Sequence, residues 1–390
     1  MFEGNDPMTA MKFVMKALSV AESCGDHRMH SHCLDEMAQI ETHQGNYSRA
    51  MIHAHEAQRL GGLSADLYRE AEAFRVGGLC CTNIGNLNEA LFQIRRAREC
   101  LHRCGLYSGN LLGLTLSDEA QVHSLKTEYL EAQNINCRII ESVSVEREPA
   151  LYACSVLSLA EIGVHIGAPK SEVLSNLDKG RIVLQTPGDQ VRSFIACDMV
   201  LADLHLRESE TEMAKMIFQQ CLISMRGISG DVTSYCLERL ADVTRWKASD
   251  FGVASTWTVV YLAYAQKSGG RLEFAKALLF LGDIHLTTQD GDTAHSLFTV
   301  ALQEFTTMDV HHSRARCMAR LGDLAFQNAN LSAAIQLWKT ARPLFKRSLQ
   351  ATDVGKIDSR LSEVEKEPGA VVYNNTATED DGERKAPGYM

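Results

Sequence analysis

LGDLAFQNANLSAAIQLWKTA, the stretch from residue 321 to residue 341, decides the fold of this chain. It opens with a large residue followed by Gly322, passes through a polar turn at Asn330, and then presents Ala334, Trp338 and Ala341. Spacings of four and three residues place the last three side chains on one face of a helix. The stretch therefore predicts two helices joined by a tight turn, with small residues where the helices meet and a large one between them.

The same pattern returns from one end of the chain to the other. When the units are aligned on the position of Gly322, the recurring small residues are Ala38, Gly78, Ala120, Ala160, Ala202, Ala241, Gly282 and Gly322. Successive members are 40, 42, 40, 42, 39, 41 and 40 residues apart. A period held over eight units indicates a stack of like helix pairs. In such a stack we expect each pair to be supported only by the pair before it and the pair after it.

The turns inside the units carry residues that close helices. Gly45-Asn46, Gly85-Asn86 and Gly291-Asp292 occupy these turns. Glycine and asparagine tolerate the left-handed backbone conformation that ends many helices. We therefore expect a left-handed residue at each of these three turns.

This pattern resembles the tetratricopeptide repeat (TPR). The positions that carry the resemblance in the last unit are Leu321, Gly322, Asn330, Leu331, Ala334, Trp338 and Ala341. In an early unit they are Met37, Ala38, Gly45, Asn46, Tyr47, Ala50 and Ala57. Units of about forty residues are similar to those in the TPR arrays of kinesin light chains and of fungal signal-transduction NTPases. The resemblance implies an all-α, right-handed TPR superhelix of about eight full helix pairs and a partial N-terminal one.

The periodicity also divides the chain into segments. Residues 1–23 correspond to the second helix of a unit without its first helix, because Ala10, Val14 and Ala17 lie forty residues before Ala50, Ala54 and Ala57. Such a bare helix favours a chain that is part of something longer. Residues 24–349 form the predicted solenoid, and residues 350–366 a capping helix. Residues 367–390 lose the periodicity and read as a disordered acidic tail.

Composition narrows the classes of partner and the location. Lys and Arg total 39 against 49 Asp and Glu, which gives a net charge of −10. A protein that binds nucleic acid or an anionic membrane is expected to have a basic surface, and this net negative charge does not indicate one. We find no secretory signal and no apolar run that approaches a membrane span. The 12 cysteines are therefore expected to be thiols of a cytoplasmic protein, with the nucleus as the alternative location.

Signatures of catalysis are missing from the sequence. It contains no P-loop, no His-Glu-x-x-His and no Gly-x-Ser-x-Gly. We therefore expect a protein that is not an enzyme and that carries no cofactor.

One segment has residues of the kind that bind zinc. Cys24, His27, His30, His32 and Cys33 lie within ten residues of one another. No second ligand pair follows at zinc-finger spacing, and polar histidines are tolerated in a turn between repeats. The structural interpretation is therefore preferred, and no metal is expected.

A row of carboxylates is the best candidate for a binding site. One residue after the aligned small position, the last five units carry Glu161, Asp203, Asp242, Asp283 and Asp323. The resemblance to TPR proteins implies that this position faces the concave surface. Two alternatives follow: an acidic ladder that captures a basic or amide-rich peptide, or ion pairs between neighbouring repeats. Arg239, Lys276, Arg316 and Arg320 lie on nearby faces, and the pairing alternative is preferred.

Three further residues belong to the same predicted surface. Arg245, Trp246 and Gln327 fall at concave levels of the first helices. Trp246 is an anchor candidate because tryptophan is enriched at binding hot spots, although a place in the core would explain it equally. The predicted function is a protein–protein interaction scaffold, or the sensor arm of a larger signalling NTPase. The alternative is a self-association module that forms homo-oligomers through exposed terminal helices.

Overall fold

The structure is a computed structural model that describes residues 7–184, 190–225, 230–244 and 251–366. Within these ranges the regular structure is entirely α-helical. In chain order the helices are α1 (Pro7–Cys24), α2 (His27–His43), α3 (Tyr47–Leu63), α4 (Leu67–Ile84), α5 (Leu87–Arg103), α6 (Asn110–Leu125), α7 (Tyr129–Ser142), α8 (Pro149–Ile166), α9 (Lys170–Leu184), α10 (Gln190–Arg207), α11 (Thr211–Met225), α12 (Gly230–Thr244), α13 (Phe251–Ser268), α14 (Arg271–Thr287), α15 (Gly291–Met308), α16 (His311–Gln327), α17 (Leu331–Arg347) and α18 (Ala351–Lys366).

The helices pair along the chain as the period predicts. Repeat 1 is α2 with α3, each later repeat takes the next two helices, and repeat 8 is α16 with α17. α1 precedes the first full pair and α18 follows the last one. The predicted all-α TPR superhelix, with about eight full pairs and a partial N-terminal one, is confirmed. The acidic tail predicted for residues 367–390 lies outside the described residues, as do residues 1–6.

Small residues stand where the two helices of a repeat meet. A Cβ atom built on Gly322 would lie 2.5 Å from the Trp338 ring, and one on Gly282 would lie 2.5 Å from the Phe298 ring. Ala334 and Ala341, on either side of Trp338, are fully buried. The alternation of small and large residues in the sequence is therefore the packing of one helix on the other.

Two of the three predicted turn glycines have the left-handed conformation. Gly45 has a φ of +78° and Gly85 a φ of +90°. The third turn also has a left-handed residue, but it is Gln289, with a φ of +61°, and not Gly291. Asp290 follows it and caps α15 by accepting a hydrogen bond from the amide of Thr293. Gly291 is thus the first residue of the helix, in the place that Leu331 takes one repeat later.

The expectation that each pair is supported only by its neighbours is wrong. The turn at Gly45 in repeat 1 lies against Gly230 and Tyr264 of repeat 6, and the turn at Gly85 in repeat 2 lies against Leu272 of repeat 7. The superhelix therefore comes round on itself, and repeats five apart in the chain contact one another. We call this line of contacts the seam. Sequence periodicity predicts how the two helices of one repeat pack on each other. It does not predict the pitch of the superhelix, which creates the seam.

One helix has a composition that the sequence analysis did not flag. Among the described residues, α8 is long and apolar enough to cross a membrane by those two criteria. Half of that window is buried in the stack, where α8 packs on α7, α9 and α10. Burial among other helices accounts for its apolar composition.

Candidate functional site

Three of the predicted carboxylates form ion pairs with the next repeat. Asp203 is 3.0 Å from Nε of Arg239, and Asp283 is 2.8 Å from Nε of Arg320. In each pair the carboxylate and the cation lie on the first helices of two successive repeats. Asp323 completes the series, because an Nη atom of Arg360 on α18 is 2.7 Å from its carboxylate. This arrangement is the geometry of the pairing alternative.

The buried members of this row depend on their cations. Asp283 is completely buried, with Arg316 at 3.7 Å as a second cation. A buried charge is expensive unless it is paired and hydrogen-bonded. Burial raises the pKa of Asp203, and the Arg239 guanidinium opposes that shift. Tyr235 also donates a hydrogen bond to Asp203. The ion pairs of Asp203 and Asp283 therefore hold the first helices of neighbouring repeats together.

Glu161 has a different environment from the rest of the row. Its side chain is 40% exposed, and its nearest partner is His165 on its own helix, whose Nε2 lies 3.9 Å from the carboxylate. Burial would raise the pKa of Glu161, but the hydrogen bond and charge of His165 hold it below its ordinary value. His165 in turn stacks on Tyr129 and lies 3.4 Å from an Nη atom of Arg239. Glu161 thus keeps a carboxylate available on the inner surface.

A second group of inner carboxylates was missed by the sequence analysis. Glu238 accepts a 2.7 Å hydrogen bond from Nζ of Lys276, one first helix further on. Glu273 lies beside this pair, and burial raises its pKa from 4.5 to about 7. Glu238 and Lys276 are 38 residues apart, close to the 37 that separate Asp283 from Arg320. That recurring separation of opposite charges was the sequence signal that could have found them.

Of the remaining predicted site residues, Asp242 lies near these groups, since its charge influences Glu238 and Arg239. Asp242 is half-buried on α12, and Gln327 is exposed at the end of α16. Arg245 and Trp246 lie outside the described residues. The assignment of these residues to a partner-binding site stays a prediction.

The inner surface of repeats 4 to 7 has more negative than positive groups. We call this surface, lined by α8, α10, α12 and α14, the inner channel. Its permanent cations among the described residues are Arg239 and Lys276. Arg207 and Arg271, the other described cations of these four helices, pair with Glu208 and with Glu304 on α15. Its carboxyl groups in the same part of the chain are Glu161, Asp203, Glu238, Asp242 and Glu273. Mutual electrostatic influence connects them, since Glu161 feels both cations and Glu238 feels both cations and Asp242. The inner channel therefore presents a negative field to an entering group.

A reversed pair occupies the first repeats. Arg75 donates a 2.9 Å hydrogen bond to Asp118, so here the cation precedes the carboxylate in the chain. Asp35, one repeat before Arg75, is completely buried and neither of its carboxylate oxygens has a hydrogen-bond partner. Burial and the charge of Glu72 raise the pKa of Asp35 well above its ordinary value. Burial therefore disfavours the ionised form of Asp35.

Polar contacts at the seam concentrate on Glu128, in the turn of repeat 3. It accepts hydrogen bonds from Nδ1 of His123 at 2.7 Å and from an Nη atom of Arg347 at 2.7 Å. Nε2 of His311, in repeat 8, lies 3.2 Å from the same carboxylate. Burial would raise the pKa of Glu128, but the hydrogen bonds from the two histidines hold it far below its ordinary value. The Glu128 cluster therefore joins two turns of the superhelix.

Among the described residues, the Glu128 cluster contains a group with the geometry to hold a metal ion. Ligand atoms of Glu128, Asp309 and His311 lie within 4.8 Å of one another. Lys126 and Arg314 already contact Asp309, at 3.2 Å and 3.0 Å. These cations oppose a further positive charge, so the cluster is best described as a network of ion pairs. In the segment predicted as a weak zinc candidate, Cys24 is an exposed thiol and Cys33 a buried one.

Comparisons with known proteins define the fold. No protein-family model matches the chain, and no curated protein matches it significantly. A crystal structure of a Rap protein complexed with competence and sporulation factor is 13% identical with a TM-score of 0.54, over 86% of this chain and 98% of that one.

Two further solved structures are less similar. The APC/C hetero-tetramer Cut9-Hcn1 is 13% identical with a TM-score of 0.42, over 92% of this chain and 91% of that one. Yeast Tom70 is 15% identical with a TM-score of 0.45, over 93% and 91%. The chain has the fold of a TPR-type helical solenoid. The closer resemblance to kinesin light chains and fungal signal-transduction NTPases stays a prediction.

Proposed function

We propose that the protein is an interaction scaffold that binds a peptide or protein partner in the inner channel through a basic group of that partner. One observation carries this proposal: carboxyl groups outnumber permanent cations on the described inner surface, and the side chain of Glu161 among them is 40% exposed. The Rap protein of similar fold is complexed with competence and sporulation factor, which supports a bound partner. Specificity would come from the first helices, since the small residues of the repeats are occupied in packing.

Glu161 and Glu238 are the residues that we expect to meet the cation. Glu161 has only His165 as a close partner, at 3.9 Å, so little is lost when a lysine or arginine of the partner approaches it. Glu238 can share its charge between Lys276 and an entering cation. Asp203 and Asp283 are expected to act indirectly, because their guanidinium partners hold the first helices in place.

The test is binding of a fluorescein-labelled lysine-rich peptide, measured by anisotropy at several salt concentrations. Replacing Glu161 with Gln should weaken binding about fivefold, or ~1 kcal/mol, and should flatten the dependence on salt. Glu238→Gln should act in the same direction. The matched control is Glu56→Gln, because Glu56 is an exposed glutamate on the second helix of repeat 1, paired with Arg59.

Two outcomes would overturn this proposal. One is equal binding of the lysine-rich peptide and of a counterpart in which every lysine is replaced by glutamate. The other is an affinity that Glu161→Gln and Glu238→Gln leave at the level of the Glu56→Gln control. Circular dichroism on each variant separates a loss of binding from a loss of fold.

We further propose that the scaffold acts in the cytoplasm or nucleus as the arm of a larger signalling NTPase. The forty-residue period supports this assignment, and so do the cysteines, all of which are free thiols. An antibody raised against residues 251–366 should detect a native polypeptide larger than 43.1 kDa in cytosolic or nuclear extract. A native polypeptide of the same mass as this chain would contradict the assignment to a larger protein.

Self-association is the second candidate function. It is favoured by the apolar surface of α1, on which Phe13 and Val20 are 65% and 63% exposed. Exposed apolar groups of this size on one helix face mark interaction sites. Sedimentation velocity over a concentration series tests whether the chain associates at all.

A further inference from the structure

α1 is the second helix of a repeat whose first helix is absent from the described residues. One side of α1 packs on α2, where Met11, Val14 and Leu18 contact the cluster around Leu34 and Met37. That contact is the one every second helix makes with the first helix of the next repeat.

An adjoining face of α1 is uncovered. Ala17 is exposed there, whereas the alanines at the same position of repeats 1, 2, 7 and 8 are fully buried: Ala57, Ala97, Ala301 and Ala341. Val20 is 63% exposed, and its equivalent Leu60 is 2% exposed. The buried equivalents owe their burial partly to the first helix of their own repeat, so the surface of α1 has the shape of a site for such a helix.

α18 is the complementary half, a first helix without a second one among the described residues. Ile357 and Val364 are buried against the second helix of repeat 8, in the cluster that contains Trp338 and Phe345. Arg360 pairs with Asp323 across the same 37 residues that separate Arg320 from Asp283. The ion pairs between first helices therefore continue into α18.

The face of α18 that would meet a second helix is smooth and uncovered. Gly355, Ser359 and Ser362 are exposed along it, and a Cβ atom built on Gly355 would meet nothing within 4 Å. Their equivalents forty residues earlier are buried beneath the second helix of repeat 8: Ala315, Ala319 and Gly322. The small residues of α18 thus repeat a surface that elsewhere accepts a second helix.

We propose that α18 of one copy of this protein packs on α1 of another copy, so that the two half-repeats complete one TPR unit between them. Ser362 would lie against Val14 as Gly322 lies against Trp338, because both pairs have the same register in the repeat. Exposed charges flank both faces, with Lys12 and Lys16 on α1 and Lys356 and Glu363 on α18. This inference rests on the second candidate function and is independent of binding in the inner channel. It is an alternative to the assignment to a larger protein, because a preceding segment that supplied the first helix would occupy the same face of α1.

The symmetry of this contact predicts the form of the assembly. Different surfaces of the two copies meet, so each copy keeps a free α1 or a free α18 for the next. A heterologous contact of this kind propagates into an open chain of copies unless the rotation happens to close. Because only one helix pair forms each contact, we expect a dissociation constant on the order of 10 µM.

The test uses two variants of the full chain that block opposite ends. Ala17→Arg places a bulky charge on the free face of α1, and Ser359→Arg does the same on α18. In sedimentation velocity across micromolar concentrations, the wild-type protein should grow in mass, and each variant alone should remain a monomer. An equimolar mixture of the two variants should form dimers and nothing larger, since one intact α18 and one intact α1 remain.

The matched control is Ser19→Arg, because Ser19 is exposed on the outer side of α1 where its equivalent is Arg59. This variant should associate like the wild type. Wild-type protein that stays a monomer would overturn both the inference and self-association as a function, leaving binding in the inner channel untouched. Association that Ala17→Arg abolishes and Ser359→Arg does not would overturn the inference alone, because it would show that α1 pairs with α1.

Discussion

Glu128 and His311 are 183 residues apart in the chain, yet Nε2 of His311 lies 3.2 Å from the Glu128 carboxylate. The backbone follows the same path, since the amide of His312 donates a hydrogen bond to the hydroxyl of Thr127. Repeat 3 is thereby fastened to repeat 8. The superhelix is held along its axis by contacts that a chain of independent hairpins would lack.

Replacing Glu128 with Gln should therefore destabilise the whole superhelix rather than one repeat. The variant removes the charged acceptor of His123, His311 and Arg347, while Lys126 keeps Asp309. We expect a loss of about 2 kcal/mol in the free energy of unfolding. Urea unfolding followed by circular dichroism measures the loss. Amide hydrogen exchange should rise at His311 and His312. The control Glu131→Gln, an exposed neighbour on α7, should change the free energy by less than about 0.5 kcal/mol.

The contribution of the Glu128 carboxylate to stability should also be lost at low pH. Its pKa is lower in the folded protein than its ordinary value of 4.5, so its ionised form stabilises the fold above that ordinary value. This contribution is lost as the pH falls through the folded pKa. The stability difference between wild type and Glu128→Gln should be constant above about pH 5.5 and shrink steadily below about pH 4.5. A difference that stays the same down to about pH 3 would contradict this account of Glu128.

The contribution of Glu273 to stability should change with pH in the direction opposite to that of Glu128. Its pKa is raised from 4.5 to about 7 in the fold, so the protonated form is favoured and ionisation opposes folding as the pH rises between these values. Replacing Glu273 with Gln should stabilise the protein by about 2 kcal/mol at pH 8 and have little effect at about pH 4. Thermal unfolding at both pH values provides the measurement. A stability change that is independent of pH would show that desolvation of Glu273 is not the cause.

Replacing Asp283 with Asn separates the two interpretations of the carboxylate row. Asp283 is completely buried between Arg316 and Arg320, so removal of its charge should cost about 3 kcal/mol of unfolding free energy. The exposed Asp292 on α15 gives the control Asp292→Asn. A variant with full stability and weakened binding of the lysine-rich peptide would favour direct contact with a partner instead.

The turn glycines offer a comparison that isolates the seam. Gly25 and Gly45 have φ values of +68° and +78°, so alanine at either position suffers the same left-handed strain. A Cβ atom on Gly25 would meet nothing, whereas one on Gly45 would lie 2.8 Å from the Tyr264 hydroxyl. Gly45→Ala should therefore cost about 1 kcal/mol more than Gly25→Ala in urea unfolding. If both variants lose the same free energy of unfolding, the contact between the Gly45 turn and Tyr264 can accommodate a methyl group.

The sequence predicted much of what depends on one repeat and its neighbour, although the pair of Glu238 with Lys276 was missed. The small residue at Gly322 and the large one at Trp338 contact each other within a single helix pair, so their spacing was enough to find them. The pairing of Asp283 with Arg320 could be expected as an alternative because both lie on adjacent first helices. Glu128 and His311 could not be connected in this way, since their contact depends on the pitch accumulated over five repeats. The availability of Glu161 depends likewise on which neighbours reach it.

The seam fixes the number of repeats between repeat 3 and repeat 8. In an open array, a repeat can be lost or duplicated with only local consequences. Here the deletion of any one repeat between repeats 3 and 8 would bring Ala351, the residue forty positions after His311, opposite Glu128. The buried carboxylate would then face a methyl group. Length variants of this protein should therefore gain or lose units at the ends, outside the stretch that the seam spans.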